Sequence, residues 1–180
     1  MYPRVNINLT KLKENCLKMI DYAKRNGINE IMPVVKVVAG DITVAKVFEE
    51  CKFNYLGDSR IKNLKLYENI NIKKMLVRLP ALSEIKDVIL YSDLSLNSEL
   101  ETIISLNKEA KRQNKKHEII FMFDLGDLRE GIFYQDEFLN IIDEILKLEN
   151  IVLKGIGTNL TCYGGVVPSK KVLNRLVEIK

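Results

Sequence analysis

"HEIIFMFDL" (residues 117–125) holds five consecutive apolar residues, Ile119 to Phe123, closed by a charged residue at each end. A run of this length reads as a strand buried on both faces, the kind that parallel sheets require. Its neighbours on either side read as helices. Before it, Ser98 begins a helix to about 113, with Glu101 three residues on as a capping box. After it, a helix is expected over about 135–148.

The same alternation extends outward. Strands are expected at 31–38, "FNYLG" (53–57), "KMLVRLP" (74–80), "DLSLN" (93–97) and "IVLKGIGTNL" (151–160). Helices are expected at about 9–26, stopped by Gly27, at 41–51 behind Asp41 or Thr43, from about 59, from Ser83 to about 91, and from Pro168 and Ser169 onward. Six strands each followed by a helix argue for a parallel sheet with covering helices. A doubly wound open sheet and a (β/α)8 barrel both fit. No glycine fingerprint follows the first strand, where a dinucleotide-binding sheet would want one.

Composition narrows the function. The chain has 180 residues, 47% hydrophobic and 29% charged, with net charge +4 and a pI of about 8.8. That is enough apolar material for a core, in one domain or part of a larger one. The densest basic cluster, "KRQNKK" (111–116), is short and free of aromatics, so no nucleic-acid partner is expected. Cys16, Cys51 and Cys162 form no CxxC pair, so no metal is expected and the thiols fit a reducing compartment. No apolar stretch approaches a membrane span and no signal segment is visible, so no membrane contact and a cytoplasmic location are expected.

In both candidate folds, functional residues gather at the carboxyl ends of the strands. These ends read Lys36, "GDSR" (57–60), "RLP" (78–80), "SLNSE" (95–99), "DLGDLREG" (124–131) and "GTNLTCYGG" (157–165). They hold no histidine, because His117 lies at the amino end of its strand, so a histidine-based triad is not expected. Lys36 stands inside the apolar run "IMPVVKVVAG" (31–40). It either snorkels outward along its stem or is a desolvated amine that attacks an aldehyde to form a Schiff base.

"YPRVNINLTKLKENC" (2–16) followed by "PVVKVVAG" (33–40) resembles the N-terminal signature of the alanine racemase-like, fold-type III pyridoxal-phosphate enzymes. "SLNSELETI" (95–103), "DLGDLREGIF" (124–133) and "GTNLTCYGG" resemble that family's ornithine-racemase branch, and the likeness runs over the whole chain. The resemblance implies a (β/α)8-barrel-type α/β fold, here with about six βα units, truncated and without the family's C-terminal β domain. Residues 1–180 are then the N-terminal part of a pyridoxal-phosphate-binding barrel domain.

The resemblance also implies roles. Lys36 carries pyridoxal 5'-phosphate and moves the Cα proton through an external aldimine. Arg129 approaches the cofactor and its lysine. Asn159 stands where many members have a histidine beside the ring. Tyr163 neighbours the cofactor or packs as an ordinary aromatic. Gly164 opens a turn that presents backbone N–H groups to an anion or serves only as a tight turn. Arg60 and Arg78 are substrate-side candidates or solvated charges. The implied activity is amino-acid racemisation, with an amino acid as the small-molecule substrate. The alternatives are a pyridoxal-phosphate carrier and an inactive fragment that acts only by assembling with another chain. Six barrel strands leave two edges unpaired, so a homo-oligomer or an assembly with a missing C-terminal portion is expected.

Overall fold

In the computed structural model, which describes residues 3–180, α1 (Leu9–Arg25) starts at Asn8, whose side chain accepts the Lys11 N–H at 3.0 Å. Tyr2 of the resembling motif lies outside the described residues. The chain forms two compact units, the first ending at Met75 and the second beginning at Leu76.

In the first unit, α1 turns Cys16 and Ala23 inward and packs on α2 (Ile42–Glu50). Asp41 caps α2 by accepting the Val44 N–H at 3.0 Å, a bond worth about 1 kcal/mol. Strand β1 (Tyr55–Asp58) leads to α3 (Ile61–Leu66), and β2 (Lys73–Leu76) runs to the boundary.

The strand expected at 31–38 is not a strand. Val34 makes a single parallel bridge to Gly57. The Val35 N–H donates to the Gly57 carbonyl at 2.8 Å, and the Gly57 N–H donates to the Pro33 carbonyl at 2.9 Å. Beyond that the backbone bonds to itself: the Val38 N–H donates to the Val35 carbonyl at 3.0 Å, closing a 3₁₀ turn over Lys36–Val38. Ala39 (φ 48°) and Gly40 (φ 96°) then swing the chain left-handed into α2. On the amino side of the bridge, Pro33 offers no N–H to extend the ladder.

The second unit holds α4 (Ile85–Tyr91), β3 (Leu94–Asn97), α5 (Leu100–Arg112), β4 (His117–Asp124), β5 (Ile132–Phe133), α6 (Leu139–Leu146), β6 (Ile151–Gly157) and α7 (Lys170–Ile179). Two expected starts move. A 3₁₀ turn over Leu82–Glu84 precedes α4, and Glu99 rather than Ser98 is the N-cap of α5, without a side-chain capping bond. Ser169 caps α7 as expected, accepting the Val172 N–H at 3.3 Å.

β4 lies parallel between β3 and β6, with Ser95 beside Ile119 and Asn97 beside Phe121. Along β4, His117, Ile119, Phe121 and Phe123 are all 1% exposed or less. α5 and α6 pack against this sheet, contributing fully buried Ile103, Leu106 and Ala110, and Ile145. Burying each large aliphatic side chain contributes roughly 1.5–3 kcal/mol.

A polar thread crosses this apolar layer. The Asn97 amide donates to the Ser95 carbonyl at 3.1 Å and to Ser95 Oγ at 2.9 Å. Ser95 Oγ lies 2.8 Å from His117 Nε2. Burial pushes the His117 pKa down to about 4.

β5 is a short parallel addition to the end of β4, and Gly131 makes it possible. At φ 113°, a Cβ on Gly131 would stand 2.5 Å from the Phe123 carbonyl carbon and 2.6 Å from the Asp124 nitrogen. Both are backbone atoms of a buried strand. Gly131→Ala is expected to lower stability by about 2 kcal/mol or more. Urea unfolding measures it, and an unchanged midpoint would contradict the account.

Candidate active site

Asp124, at the end of β4, starts the turn. Its Oδ1 accepts the Gly126 N–H at 2.8 Å and the Leu128 N–H at 3.1 Å. Those bonds hold Gly126 (φ 114°) and Leu128 (φ 57°) left-handed, so the chain doubles back within seven residues, Asp124 to Glu130.

Asp127 is 1% exposed and ties this loop to the one after β6. Its carboxylate accepts the Cys162 N–H at 3.1 Å and the Tyr163 N–H at 3.2 Å, and its carbonyl accepts the Gly164 N–H at 2.6 Å. Burial alone would raise its pKa. The backbone N–H groups of Cys162 and Tyr163, with those of Val166 and Gly165 nearby, outweigh burial and hold it below the ordinary value. A Cβ on Gly164 would lie 2.8 Å from the carbonyl oxygens of both Asp127 and Gly126, so the approach needs glycine. The Gly164 amide, which the turn was expected either to present to an anion or to use only in a tight turn, bonds to Asp127, as do those of Cys162 and Tyr163. Tyr163 is 79% exposed and does not pack as a core aromatic.

Arg129 and Asn159 meet at Glu130. The Glu130 side chain is 8% exposed; its Oε2 lies 3.2 Å from Arg129 Nε, and its Oε1 accepts the Asn159 side-chain amide. Among the described residues, the terminal nitrogens of Arg129 make no ion pair or hydrogen bond, and its side chain is 32% exposed. Two residues 30 positions apart in sequence thus share one carboxylate at the carboxyl ends of β4 and β6.

In the first unit, Lys36 is exposed on the 3₁₀ turn, the outward one of the two arrangements that its apolar neighbours left open. Arg60 is also exposed. Its backbone N–H donates to Asp58 Oδ1 at 2.9 Å, and fully buried Asp58 takes a further amide bond from Asn63 at 3.2 Å. In the second unit, Arg78 donates to both Glu84 oxygens at 2.8 and 2.7 Å and to the Leu79 carbonyl at 2.9 Å, so much of its fork is engaged locally.

Sequence reading missed Glu130 and Asp127 as organisers. Both flank Arg129 in "DLGDLREG", where charge alone reads as a surface ion pair. The signal was the glycines around them: 131 and 164 mark backbone packed too closely for a side chain, and 126 marks a left-handed turn. Among the described residues there is no cluster of metal-ligating side chains. None of their helices is long and apolar enough to cross a membrane.

A family model described as "Alanine racemase, N-terminal domain" matches residues 7–180. The chain is 45% identical to an ornithine racemase of Acetoanaerobium sticklandii over 99% of its own length and 50% of that protein's. It is 34% identical to a lysine racemase of Thermotoga maritima over 100% of its own length and 50% of that protein's. Among solved structures, it is similar to an alanine racemase of Clostridium difficile 630 in complex with cycloserine. The TM-score is 0.73 and the identity 25%, covering 95% of this chain and 46% of that one. The likeness bears out the barrel-type α/β fold. The chain spans about half the length of the curated relatives it matches.

Proposed function

We propose a function from one premise: the chain belongs to the alanine racemase N-terminal domain family. The reading is a pyridoxal-phosphate-dependent racemase of an amino acid, with ornithine the first substrate to try. The observation that carries it is the 45% identity to an ornithine racemase across 99% of this chain. Residues 1–180 form the N-terminal part of its cofactor-binding barrel domain in this reading.

The residues fit the cofactor's chemistry. A Schiff-base amine must be reachable, and Lys36 is exposed. An anionic oxygen needs a cation whose donors are not spent internally, and the terminal nitrogens of Arg129 meet that condition. Bound pyridoxal phosphate supplies an electron-withdrawing ring that acidifies the substrate's Cα–H.

Lys36 Nζ would hold the cofactor, and the same amine would take or return the Cα proton on one face. Arg129 binds an oxyanion through its terminal nitrogens. Asn159 would pack near the ring, and Tyr163 would neighbour the cofactor from the loop that Asp127 holds, with Gly164 allowing that loop its close approach. Arg60 and Arg78 remain substrate-side assignments in this reading, Arg60 as the freer of the two. Inversion needs a second acid–base group on the opposite face, which an oligomer or an added C-terminal portion supplies.

The test uses the full chain. It is incubated with pyridoxal phosphate and reduced with borohydride, and the added mass is located by peptide mass spectrometry. L-Ornithine, lysine, arginine and alanine are then followed by chiral chromatography. One adduct on Lys36 and racemised ornithine are expected. An adduct without racemisation of any of the four would favour a carrier. Scattered or absent label would overturn the assignment of Lys36 in this chain.

A further inference from the structure

The geometry points to Glu130 as a positioning residue that sets how both Arg129 and Asn159 face the ligand, an inference that rests on the proposed racemase reading. A carboxylate that is 8% exposed must be matched by donors, or its burial is costly. Glu130 divides its two oxygens between the two loops: Oε2 faces Arg129 Nε, and Oε1 accepts the Asn159 amide.

Each contact removes a degree of freedom that matters. Arg129 holds its Nε edge 3.2 Å from Glu130 Oε2 in an ion pair, so its terminal nitrogens are the ones left to meet an anion. Asn159 turns its N–H₂ to Glu130, so the amide oxygen faces away. Without the carboxylate, the amide could rotate by half a turn and exchange an acceptor for a donor. The site as built pairs donors from Arg129 with an acceptor from Asn159. It therefore suits a ligand edge carrying an anionic oxygen beside a protonated group. Both contacts end on a carboxylate that is itself 8% exposed, where a bond to an ionised group is stronger than one between neutral partners.

A staple that merely held two loops together would show in stability alone. A positioning role shows in the guanidinium itself and in cofactor affinity. Glu130→Gln and Glu130→Ala are made in the full chain. The first readout is the Arg129 Nε–H resonance in the cofactor-free protein, assigned by its loss in Arg129→Lys. In the wild type its chemical shift is expected to report the carboxylate 3.2 Å away. In Glu130→Ala that shift should move while the β4 backbone amides keep theirs.

The second readout is the dissociation constant for pyridoxal phosphate, followed by absorbance. It should rise about 10-fold or more in Glu130→Ala, the loss expected for one charge-assisted bond. In Glu130→Gln, which keeps one accepting oxygen, the rise should be about 3-fold or less. An unchanged Nε–H resonance in Glu130→Ala overturns the inference, whatever the cofactor does. Equal affinities in all three proteins overturn it too. If Glu130→Ala does not fold, Glu130→Gln decides: an unshifted Arg129 Nε–H resonance and unchanged affinity would again overturn it. An Arg129 Nε–H resonance that shifts in Glu130→Ala, in a protein that binds no pyridoxal phosphate, defeats the racemase reading and leaves the positioning geometry standing.

Discussion

Lys36→Ala is expected to abolish covalent attachment of pyridoxal phosphate and to lower racemisation by about 10³-fold or more in the full-length protein. The effect should be chemical and not conformational. Val35, beside it, is 2% exposed and anchors the turn, while Lys36 is itself exposed. The bonds that shape the turn are backbone bonds of Pro33, Val35, Val38 and Gly57, none of which involves the Lys36 side chain. Removing the amine should therefore change stability by less than about 0.5 kcal/mol, as exposed substitutions usually do. Borohydride trapping reads the first loss, chiral chromatography the second, and urea unfolding the third. Turnover at the native rate would remove Lys36 from the mechanism.

The second large effect is on stability against pH. In the unfolded chain His117 titrates near 6.5; in the folded protein, burial lowers this to about 4. Above pH 6.5 both states are neutral at this residue and its contribution is fully present. As pH falls from there, the unfolded chain takes up a proton that the native fold resists, so stability declines until the folded group also protonates near pH 4. The total from this one residue is about 3 kcal/mol. Urea unfolding at pH 7 and pH 4.5 should show that fall in the wild type. In His117→Gln the fall should be smaller by about 2 kcal/mol, even though that variant starts less stable. Carboxylates titrate in both proteins, so the difference between them isolates the histidine. Parallel declines would mean that the ring accepts a proton in place.

The alternation of elements was legible because buried strands and amphipathic helices write different periods into the chain. β4 was plain in "HEIIFMFDL", and the caps at Asp41 and Ser169 were plain from residue type. The 31–38 segment misled because Val, Ile and Met report burial and β preference but not hydrogen bonding. Its pairing is one residue wide, and its remaining bonds are local. β5 escaped because two residues carry no period at all. At the candidate site, Arg129 and Asn159 could be marked by resemblance. Their common partner could not, since a glutamate next to an arginine looks the same whether it is solvated or 8% exposed.

Asp127 fixes the shape of the loop after β6 before anything binds. The 161–165 segment is mostly exposed, and a loop of that kind ordinarily samples many shapes. Here one carboxylate and one carbonyl already take up three successive amides, those of Cys162, Tyr163 and Gly164. The conformational entropy of that loop is therefore surrendered during folding, before any ligand arrives. A ligand that touches it meets a preorganised surface, and its affinity is not reduced by the need to order the chain beneath it.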